Sequence, residues 1–436
     1  MKILKFGGAS ISTSQNIINV ANLLCDNTRK VVVLSAMSGT TNTLVEISNY
    51  LYRKNSDAAN EIIIQLEQKY LSCLSELYKN PVYIAQAQAM IQERFDIIRA
   101  YTKDLFTLFE ERVILAQGEL ISSALVYFLL QERGINAVLL PALDFMRTDK
   151  NAEPDPIYIK EKLSKMIEPH ADVSLFITQG YICRNAYGEI DNLQRGGSDY
   201  TASLIGAALG AEEIQIWTDI DGMHNNDPRF VSGTKPVRNL QFEEAAELAY
   251  FGAKILHPTC ILPAKLNNIP VRLLNTAEPQ SLGTLISNKM DKGNIKAVAA
   301  KDGITVIKIK SGRMLLAHGF LRKVFEIFES YATPIDMVAT SEVGISVSID
   351  NCKHLSEIID DLKKYGTVSV DSDMTIICVV GDLASENIGF ESKVIASLKE
   401  TPIRMISYGG SNYNISFLIQ TKYKIKALQN MNTELF

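Results

Sequence analysis

Three glycine-containing turns carry the side chains best suited to chemistry in this chain of 436 residues. The first turn, Lys5-Phe-Gly-Gly-Ala-Ser10, lies where a strand pattern ends and a helix pattern soon begins. Glycines in such a place let free backbone N–H groups approach an anion, and a lysine adds a mobile positive charge. The spacing is not that of a Walker loop. Phosphate binding is therefore one interpretation of this motif, and an ordinary turn is the other.

The second turn, Arg195-Gly-Gly-Ser-Asp-Tyr-Thr-Ala202, precedes an apolar helix pattern that runs to about Leu209. The guanidinium of Arg195 is a planar fork suited to a carboxylate. Asp199 cannot bind an anion itself, but it could hold lysine side chains in place or assist Mg²⁺ indirectly. Ser198 and Asp199 could equally serve as helix caps.

The third turn, Trp217-Thr-Asp-Ile-Asp-Gly222, is followed by Asp227-Pro-Arg229. Thr218 and Asp219 come at the C-terminal end of a predicted strand, and ligands of open α/β sheets bind at that edge. Asp219 and Asp221 could contact a nucleotide or a metal, or could simply form the turn.

Two further segments add candidate residues. Glu119 follows Gly118 and could accept hydrogen bonds from a substrate ammonium, although a single glutamate is more often solvated. Lys254 and His257 lie in Gly252-Ala-Lys-Ile-Leu-His-Pro258, and nothing near His257 in the sequence suggests a triad or a metal cluster. Glycine-rich turns, several cations and few nucleophiles favour phosphoryl transfer, in which positioning and charge neutralisation do most of the catalysis.

The elements that must position these residues alternate between strand and helix over the first 285 residues. Short apolar runs predict six strands, at residues 3–6, 31–34, 137–140, 175–177, 214–217 and 271–274. Helical patterns separate most of them, which predicts an open, mostly parallel sheet sandwiched by helices. Residues 43–130 contain no clear strand and are interpreted as a helical lobe inserted into this domain.

An internal repeat occupies the C-terminal part of the chain. Residues 333–338 parallel residues 401–406, and residues 345–349 parallel residues 415–419 in the same order. Two ferredoxin-like βαββαβ units are therefore expected. The predicted domains are 1–286, a linker at 287–303, and the two repeats at 304–372 and 373–436.

Bulk composition narrows the class of protein. A net charge of −5 and 47% hydrophobic residues argue against general nucleic-acid binding and fit a soluble protein. The six cysteines are too scattered for zinc-ribbon spacing and suggest no disulfide framework. No stretch reaches the run of about 18 apolar residues expected of a membrane helix. No signal-peptide pattern is present at the start, so we expect a cytoplasmic protein.

Taken in order, these motifs resemble those of the amino acid kinase family, and of its aspartokinases in particular. The opening motif is similar to the family's K-F-G-G-T-S, with Ala9 in place of the usual threonine, and residues 34–42 resemble its second substrate loop. The C-terminal repeats resemble the paired ACT domains of the same enzymes. The segments that match in order are residues 5–10, 34–42, 117–119, 195–199, 217–222, 227–229 and 252–258.

The resemblance implies the reaction ATP + L-aspartate → ADP + 4-phospho-L-aspartate, the first step towards lysine, threonine and methionine. It implies that Arg195 binds the α-carboxylate of aspartate and Glu119 its ammonium. Lys5 would bridge the transferring phosphoryl group, and Asp199 would orient the lysines. The remaining implied site residues are Ser35, Thr41 and Ser198 for aspartate, and Gly7, Gly8, Thr218, Asp219, His224, Arg229 and Lys254 for ATP.

Departures from the family pattern concern the nucleotide and the effector. His224 stands where the family has a tyrosine, so it either stacks on the adenine or loses that contact. Mg²⁺ is expected to be held mainly by ATP phosphates and water. Positions matching the lysine effector site of lysine-sensitive members are Met314, Asp336, Thr340 and Glu342, whereas Leu316 replaces a histidine found in some of them.

Lysine is therefore the hypothesis for the effector, and pairing of ACT domains implies a homodimer. No G-x-G-x-x-G unit follows residue 303, so no fused homoserine dehydrogenase is expected. Two alternatives stay open. One is a kinase for another acid, such as glutamate or acetylglutamate, and the other is a non-catalytic amino-acid sensor.

Overall fold

The computed structural model divides the chain into two compact units. It describes residues 1–26, 28–103, 105–193, 196–252, 256–289, 293–312, 318–383 and 389–436. The first unit comprises residues 1–223 and 256–288, and the second comprises residues 224–255 and 289–436. Residues 224–255, which the sequence analysis assigns to the first domain, thus group with the C-terminal part.

The described residues form sixteen strands and fifteen α-helices. The strands are β1 (Lys2–Phe6), β2 (Lys30–Leu34), β3 (Ala137–Leu140), β4 (Leu175–Gln179), β5 (Ile182–Arg184), β6 (Ile190–Asn192), β7 (Glu213–Thr218), β8 (Asn239–Gln241), β9 (Val271–Asn275), β10 (Thr284–Ser287), β11 (Ile295–Lys310), β12 (Met337–Ser341), β13 (Gly344–Ile349), β14 (Thr367–Gly381), β15 (Ile403–Ser407) and β16 (Asn414–Gln420). The helices are α1 (Ser14–Leu23), α2 (Thr40–Tyr52), α3 (Ser56–Ser72), α4 (Leu74–Leu77), α5 (Pro81–Ala100), α6 (Leu108–Glu132), α7 (Ala142–Phe145), α8 (Pro156–Ile167), α9 (Gly197–Leu209), α10 (Phe242–Tyr250), α11 (Leu262–Leu266), α12 (Phe320–Ser330), α13 (Leu355–Lys363), α14 (Phe390–Ser397) and α15 (Lys424–Leu435).

The main sheet of the first unit is mostly parallel, which confirms the predicted fold class. Its strands run in the order β3-β4-β2-β1-β7-β9-β10, and all neighbours are parallel except β9 and β10. All five residues of β2 and of β4 are buried, as expected of strands covered by helices on both faces. Each of the six predicted apolar runs lies in one of these strands.

A group of helices, α2 to α6, fills the chain between β2 and β3. No strand occurs among the described residues of this stretch. Helix α6 begins with a capping box formed by Thr107 and Glu110. By length and composition α6 could cross a membrane, but most of its apolar window is buried inside the structure. It is therefore the central helix of this group, and its burial explains its apolar composition.

The second unit contains an antiparallel sheet of six strands in the order β12-β13-β11-β14-β16-β15. The long strands β11 and β14 pair along most of their length. The latter half of β11 belongs to the first βαββαβ repeat, with β12, β13 and the start of β14. The rest of β14 belongs to the second repeat, with β15 and β16. The two expected ferredoxin-like units are thus present.

The start of β11 corrects the predicted linker. Residues 295–301, assigned above to the connector 287–303, pair with residues 376–381 and supply the fourth strand of the second repeat. Their lysines and alanines have weak strand propensity, so the pattern resembles a connector. Burial of Ala297, Val298 and Ala299 in this unit explains why the segment is nevertheless a strand.

Candidate functional site

The C-terminal ends of β1, β2 and β4, which are adjacent in the sheet, open onto one cavity of about 350 Å³. Ligands of open α/β sheets bind at this edge. Its lining combines residues from the strand ends, from the start of α9 and from α6. They are Lys5, Gly8, Ser35, Ala36, Met37, Ser38, Gly39, Thr41, Asn42, Glu119, Tyr181, Gly196, Gly197, Ser198 and Asp199.

Lys5 and Asp199 form an ion pair in this cavity. Lys5 lies near the C-terminal end of β1, and Asp199 lies in the first turn of α9. The Nζ atom of Lys5 is 2.7 Å from Oδ1 of Asp199, and only 12% of each side chain is exposed. This contact holds the Lys5 ammonium group at the C-terminal edge of the sheet. The nearly buried carboxylate of Asp199 determines where that ammonium group points.

Helix α9 starts without a side-chain cap. Its N-cap is Gly196, whose φ of +76° is a left-handed conformation that glycine adopts readily. Ser198 and Asp199 lie inside the first turn and line the cavity instead of capping the helix. The capping interpretation of these two residues is therefore wrong.

Close backbone packing holds the loops around the cavity together. A Cβ added to Gly180 would lie 2.5 Å from Cβ of Ser198, and one added to Gly8 would lie 2.9 Å from the carbonyl oxygen of Ala36. No real side chain fits at such distances. The first glycine brings α9 against the end of β4, and the second brings the opening motif against the loop after β2. Gly7 lies beside Lys5 but does not line the cavity.

Glu119 is buried rather than solvated, which differs from the usual behaviour of a single glutamate. Its Oε1 accepts a hydrogen bond from the backbone N–H of Ala36 at 3.1 Å. Its Oε2 is buried and has no hydrogen-bond partner among the described residues. Burial raises the pKa of Glu119 to about 8. A buried carboxyl group with an unsatisfied oxygen therefore faces the cavity, and a cationic ligand group beside it would favour its ionised form.

The loop after β2 begins with Ser35 and leads into α2, whose first turn contains Thr41, and both residues line the cavity. The Ser35 carbonyl accepts a hydrogen bond from Oγ of Ser122 at 2.7 Å, so α6 fixes the start of the loop. Nζ of Lys69 donates to the Ser38 carbonyl at 3.0 Å, so α3 fixes its middle. The structure thus brings Ser35, Thr41, Glu119, Ser198 and Asp199 to one cavity.

Tyr181 also lines the cavity, and sequence reasoning missed it. Its backbone φ is +68°, an unusual conformation for a residue with a side chain. Its N–H donates to Oγ1 of Thr201 at 3.0 Å, which holds the turn in this shape. The signal was available, because Tyr181 comes directly after a predicted buried strand, where ligands of such sheets bind.

The predicted nucleotide residues lie in several places. Thr218 and Asp219 are at the C-terminal end of β7, where Oγ1 of Thr218 donates to Oδ1 of Asp219 at 3.0 Å. Neither lines the cavity described above. His224 and Arg229 belong to the second unit, where Arg229 pairs with Asp227 at 2.6 Å and Nδ1 of His224 is 3.0 Å from Oγ1 of Thr234.

Several predicted residues lie outside the described residues. They are Arg195, Lys254 and Met314, together with the replacement Leu316. Their assigned roles stay predictions. His257 is described, and its Nδ1 lies 2.7 Å from Oγ1 of Thr259, in line with a structural role.

The predicted effector residues of the second unit differ in exposure. Asp336 is almost fully buried, at 2% exposure, and pairs with Nζ of Lys301 at 2.7 Å. The hydroxyl of Tyr250 also donates to Asp336, at 2.7 Å. Thr340, on β12, and Glu342, just after it, are exposed. Oδ1 of Asp336 is therefore engaged in an internal ion pair, whereas its Oδ2 has no hydrogen-bond partner among the described residues.

The acidic residues of the first cavity do not form a metal cage. Across the described part of the chain, no group of three or more His, Cys, Asp or Glu side chains could hold a metal ion. Of the two acids at the cavity, Asp199 is paired with Lys5 and Glu119 has a raised pKa.

Comparison with known proteins identifies the family. Residues 1–275 match the model of the amino acid kinase family, and residues 377–435 match an ACT domain. The lysine-sensitive aspartokinase 3 of Escherichia coli K12 is 32% identical, covering 100% of this chain and 99% of its own length. The chloroplastic aspartokinase 3 of Arabidopsis thaliana is 33% identical, covering 98% of this chain and 81% of its own length.

Solved structures agree with these relatives. The structure of E. coli aspartokinase III in complex with aspartate and ADP superposes with a TM-score of 0.83 at 30% identity, covering both chains fully. The structure of that enzyme with lysine and aspartate gives a TM-score of 0.84 at 31% identity, covering 100% of this chain and 99% of the other. This chain therefore belongs to the amino acid kinase family, among its aspartokinases with ACT domains.

Proposed function

We propose that this chain transfers the γ-phosphoryl group of ATP to the side-chain carboxylate of L-aspartate, giving 4-phospho-L-aspartate and ADP. One observation carries the proposal. A single cavity at the C-terminal edge of the sheet brings the ion pair of Lys5 and Asp199 together with the buried carboxyl group of Glu119. This combination provides a cation for a phosphoryl group and an acid for an ammonium.

The chemical step needs little from the protein besides position and charge. The side chain of aspartate is ionised at neutral pH, so it can attack the γ-phosphorus without a general base. A new O–P bond forms as the bond from the γ-phosphorus to the bridging oxygen breaks, and ADP leaves with that electron pair. Lys5 neutralises charge on the transferring group, and Asp199 holds the direction of its Nζ atom.

Glu119 is assigned to the ammonium of aspartate. With its pKa near 8, Glu119 is mostly protonated at neutral pH in the absence of a ligand. An ammonium placed beside it favours the ionised form, so substrate binding completes a charge pair inside a buried site. A substrate without an ammonium, such as acetylglutamate, cannot form this pair. Arg195 is assigned to the α-carboxylate, and Ser35, Thr41 and Ser198 to the remaining polar atoms.

The nucleotide site remains part of the proposal. Gly7 and Gly8 would lie beside the phosphates, and the remaining assigned contacts are Thr218, Asp219, His224, Arg229 and Lys254. Mg²⁺ bound to the phosphates would neutralise part of their charge, and no described cluster of side chains competes for it.

Feedback regulation is assigned to the ACT repeats. One relative, of 32% identity, is named a lysine-sensitive aspartokinase, and E. coli aspartokinase III was solved in complex with lysine and aspartate. Lysine is therefore our proposed effector, with Met314, Asp336, Thr340 and Glu342 as the proposed contacts. A homodimer paired through the ACT repeats and a cytoplasmic location complete the proposal, which places the enzyme at the start of lysine, threonine and methionine synthesis.

A coupled ADP-release assay tests the reaction. It compares aspartate, glutamate and acetylglutamate as phosphate acceptors for the wild-type chain and for Lys5→Ala. We expect a clear preference for aspartate and a loss of several orders of magnitude in kcat for the variant. Lys2→Ala, on the same strand but away from the cavity, is the matched control. Equal activity on all three acids would remove the substrate assignment, and unchanged turnover in Lys5→Ala would remove the role of Lys5.

A further inference from the structure

The two ACT repeats carry matching positions with opposite charges. Residues 333–338 and 401–406 align, so Asp336 of the first repeat corresponds to Arg404 of the second. The runs that begin at Thr305 and Thr375 also align, so Lys301 corresponds to Asp371. An acid and a base have therefore exchanged places between the repeats.

Both pairs are formed in the structure. Nζ of Lys301 is 2.7 Å from Oδ1 of Asp336, and Nε of Arg404 donates to Oδ2 of Asp371 at 3.1 Å. The third partner also differs between them. Asp350 joins the first pair at 2.9 Å from Lys301, whereas Lys308 joins the second pair by contacting Asp371. The first group holds two acids and one base, and the second holds two bases and one acid.

The pair of Lys301 and Asp336 is largely buried, whereas the pair of Arg404 and Asp371 is exposed. Tyr250 covers the first group, because its ring lies 4.4 Å from Nζ of Lys301 and its hydroxyl reaches Asp336. Arg404 and Asp371 keep 51% and 38% of their side chains exposed. Beside them lies a cavity of about 500 Å³, which is also lined by Pro402 and Gln420. The site that Tyr250 covers in the first repeat is therefore accessible to a ligand in the second repeat.

Arg404 has donors left for a ligand. Only its Nε atom is engaged with Asp371, and neither Nη atom has a hydrogen-bond or ion-pair partner among the described residues. Gln420, which corresponds to Asp350 of the first repeat, adds a neutral amide where the other repeat has an acid. With two cations around one acid, the local charge favours an anion.

We infer that this cavity of the second repeat binds a small organic carboxylate, which Arg404 holds through its two Nη atoms. A guanidinium matches a carboxylate in a two-bond geometry, which gives direction as well as affinity. A free amino acid and a simple organic acid share this group. The site is separate from the proposed effector contacts of the first repeat, and the inference does not depend on the kinase reaction.

Titration calorimetry on the full chain tests this inference, with lysine, threonine, methionine and succinate as the probes. We expect at least one probe to bind the wild type and to bind Arg404→Gln about tenfold more weakly or worse, since loss of a charged hydrogen-bonding partner has an effect of that order. Arg322→Gln is the matched control, because its side chain is 81% exposed and pairs only along its own helix with Glu326. Its isotherms should match the wild type.

The outcomes are distinct. Binding of an amino acid alone would show that the site also reads the amino group, whereas binding of succinate shows that the carboxylate suffices, and either supports the site. Isotherms unchanged in Arg404→Gln would place any binding elsewhere and overturn the inference, as would no heat from any of the four probes. Circular dichroism of both variants checks that the fold is retained, and activity assays with aspartate report separately on the kinase.

Discussion

Replacing Glu119 by glutamine should make the stability of this protein less dependent on pH. Glu119 is buried beside the cavity, with one oxygen bonded to the Ala36 N–H and the other without a partner among the described residues. Glutamine has the same shape and keeps the acceptor for Ala36. It removes the ionisable group of this side chain, so it isolates the energetic effect of a charge at this position.

The sign and size follow from the pKa. The folded pKa of Glu119 is about 8 against an ordinary value of 4.5, so the folded state holds the proton over a range in which the unfolded state has lost it. The free energy of unfolding therefore falls as pH rises from about 4.5 to about 8 and is constant above that range. At about 1.36 kcal/mol per pH unit, this group contributes at most about 5 kcal/mol over the whole range, and about 3 kcal/mol between pH 6 and pH 9.

Urea unfolding of the ligand-free protein at pH 6 and pH 9 measures this effect. Relative to wild type, Glu119→Gln should gain about 3 kcal/mol of stability on going from pH 6 to pH 9. Glu46→Gln, the same change at an exposed position of α2, should gain nothing. If the two variants show the same pH dependence, the buried carboxyl group is not neutral in the free protein and the reasoning about ammonium binding fails.

The other predictions concern the positions that shape the two units. Asp199→Asn should lower kcat much more than it raises KM for ATP. The substitution leaves Lys5 in place but removes the carboxylate, 2.7 Å away, that orients its ammonium group. Equal changes in kcat and KM in steady-state kinetics would show that the pair is only structural. Gly180→Ala should cost about 1–3 kcal/mol in urea unfolding and raise KM for aspartate, since the added methyl group meets Ser198; unchanged values would contradict the close packing. Tyr250→Phe should lower the free energy of unfolding by about 1–3 kcal/mol, because the carboxylate of Asp336 loses one hydrogen-bond donor. Thermal melts should show no such loss for Tyr187→Phe, whose side chain is exposed.

The sequence was sufficient for the sheet and for most of the cavity. Lys5 and Asp199 are far apart along the chain, yet both follow the rule that the C-terminal ends of parallel strands and the starts of the next helices meet at one edge. Ser35 and Thr41 follow the same rule after β2. The sequence assigned these side chains to one site through the family resemblance, and the rule gives the physical reason why the ends of β1 and β2 and the start of α9 lie together.

What the sequence could not show depends on tertiary packing. Helix α6 is apolar on nearly all sides, so its periodicity gives no exposed face and no means of telling that Glu119 points inward. The left-handed conformation of Tyr181 is set by its bond to Thr201, which lies on another element. The strand at residues 295–301 depends on pairing with residues 376–381, which are distant in the chain. Each of these features is decided by a partner that local pattern does not contain.

Strands β11 and β14 each contribute to both repeats, so the two repeats depend on each other structurally. Because the segment that completes the C-terminal repeat precedes the first repeat along the polypeptide, the C-terminal repeat does not correspond to one continuous stretch of gene. A chain that stopped after residue 372 would expose residues 295–301 as an unpaired edge, a surface prone to aggregate. A deletion that removes the second repeat completely would therefore have to remove two separate segments of the chain, one on each side of the first repeat.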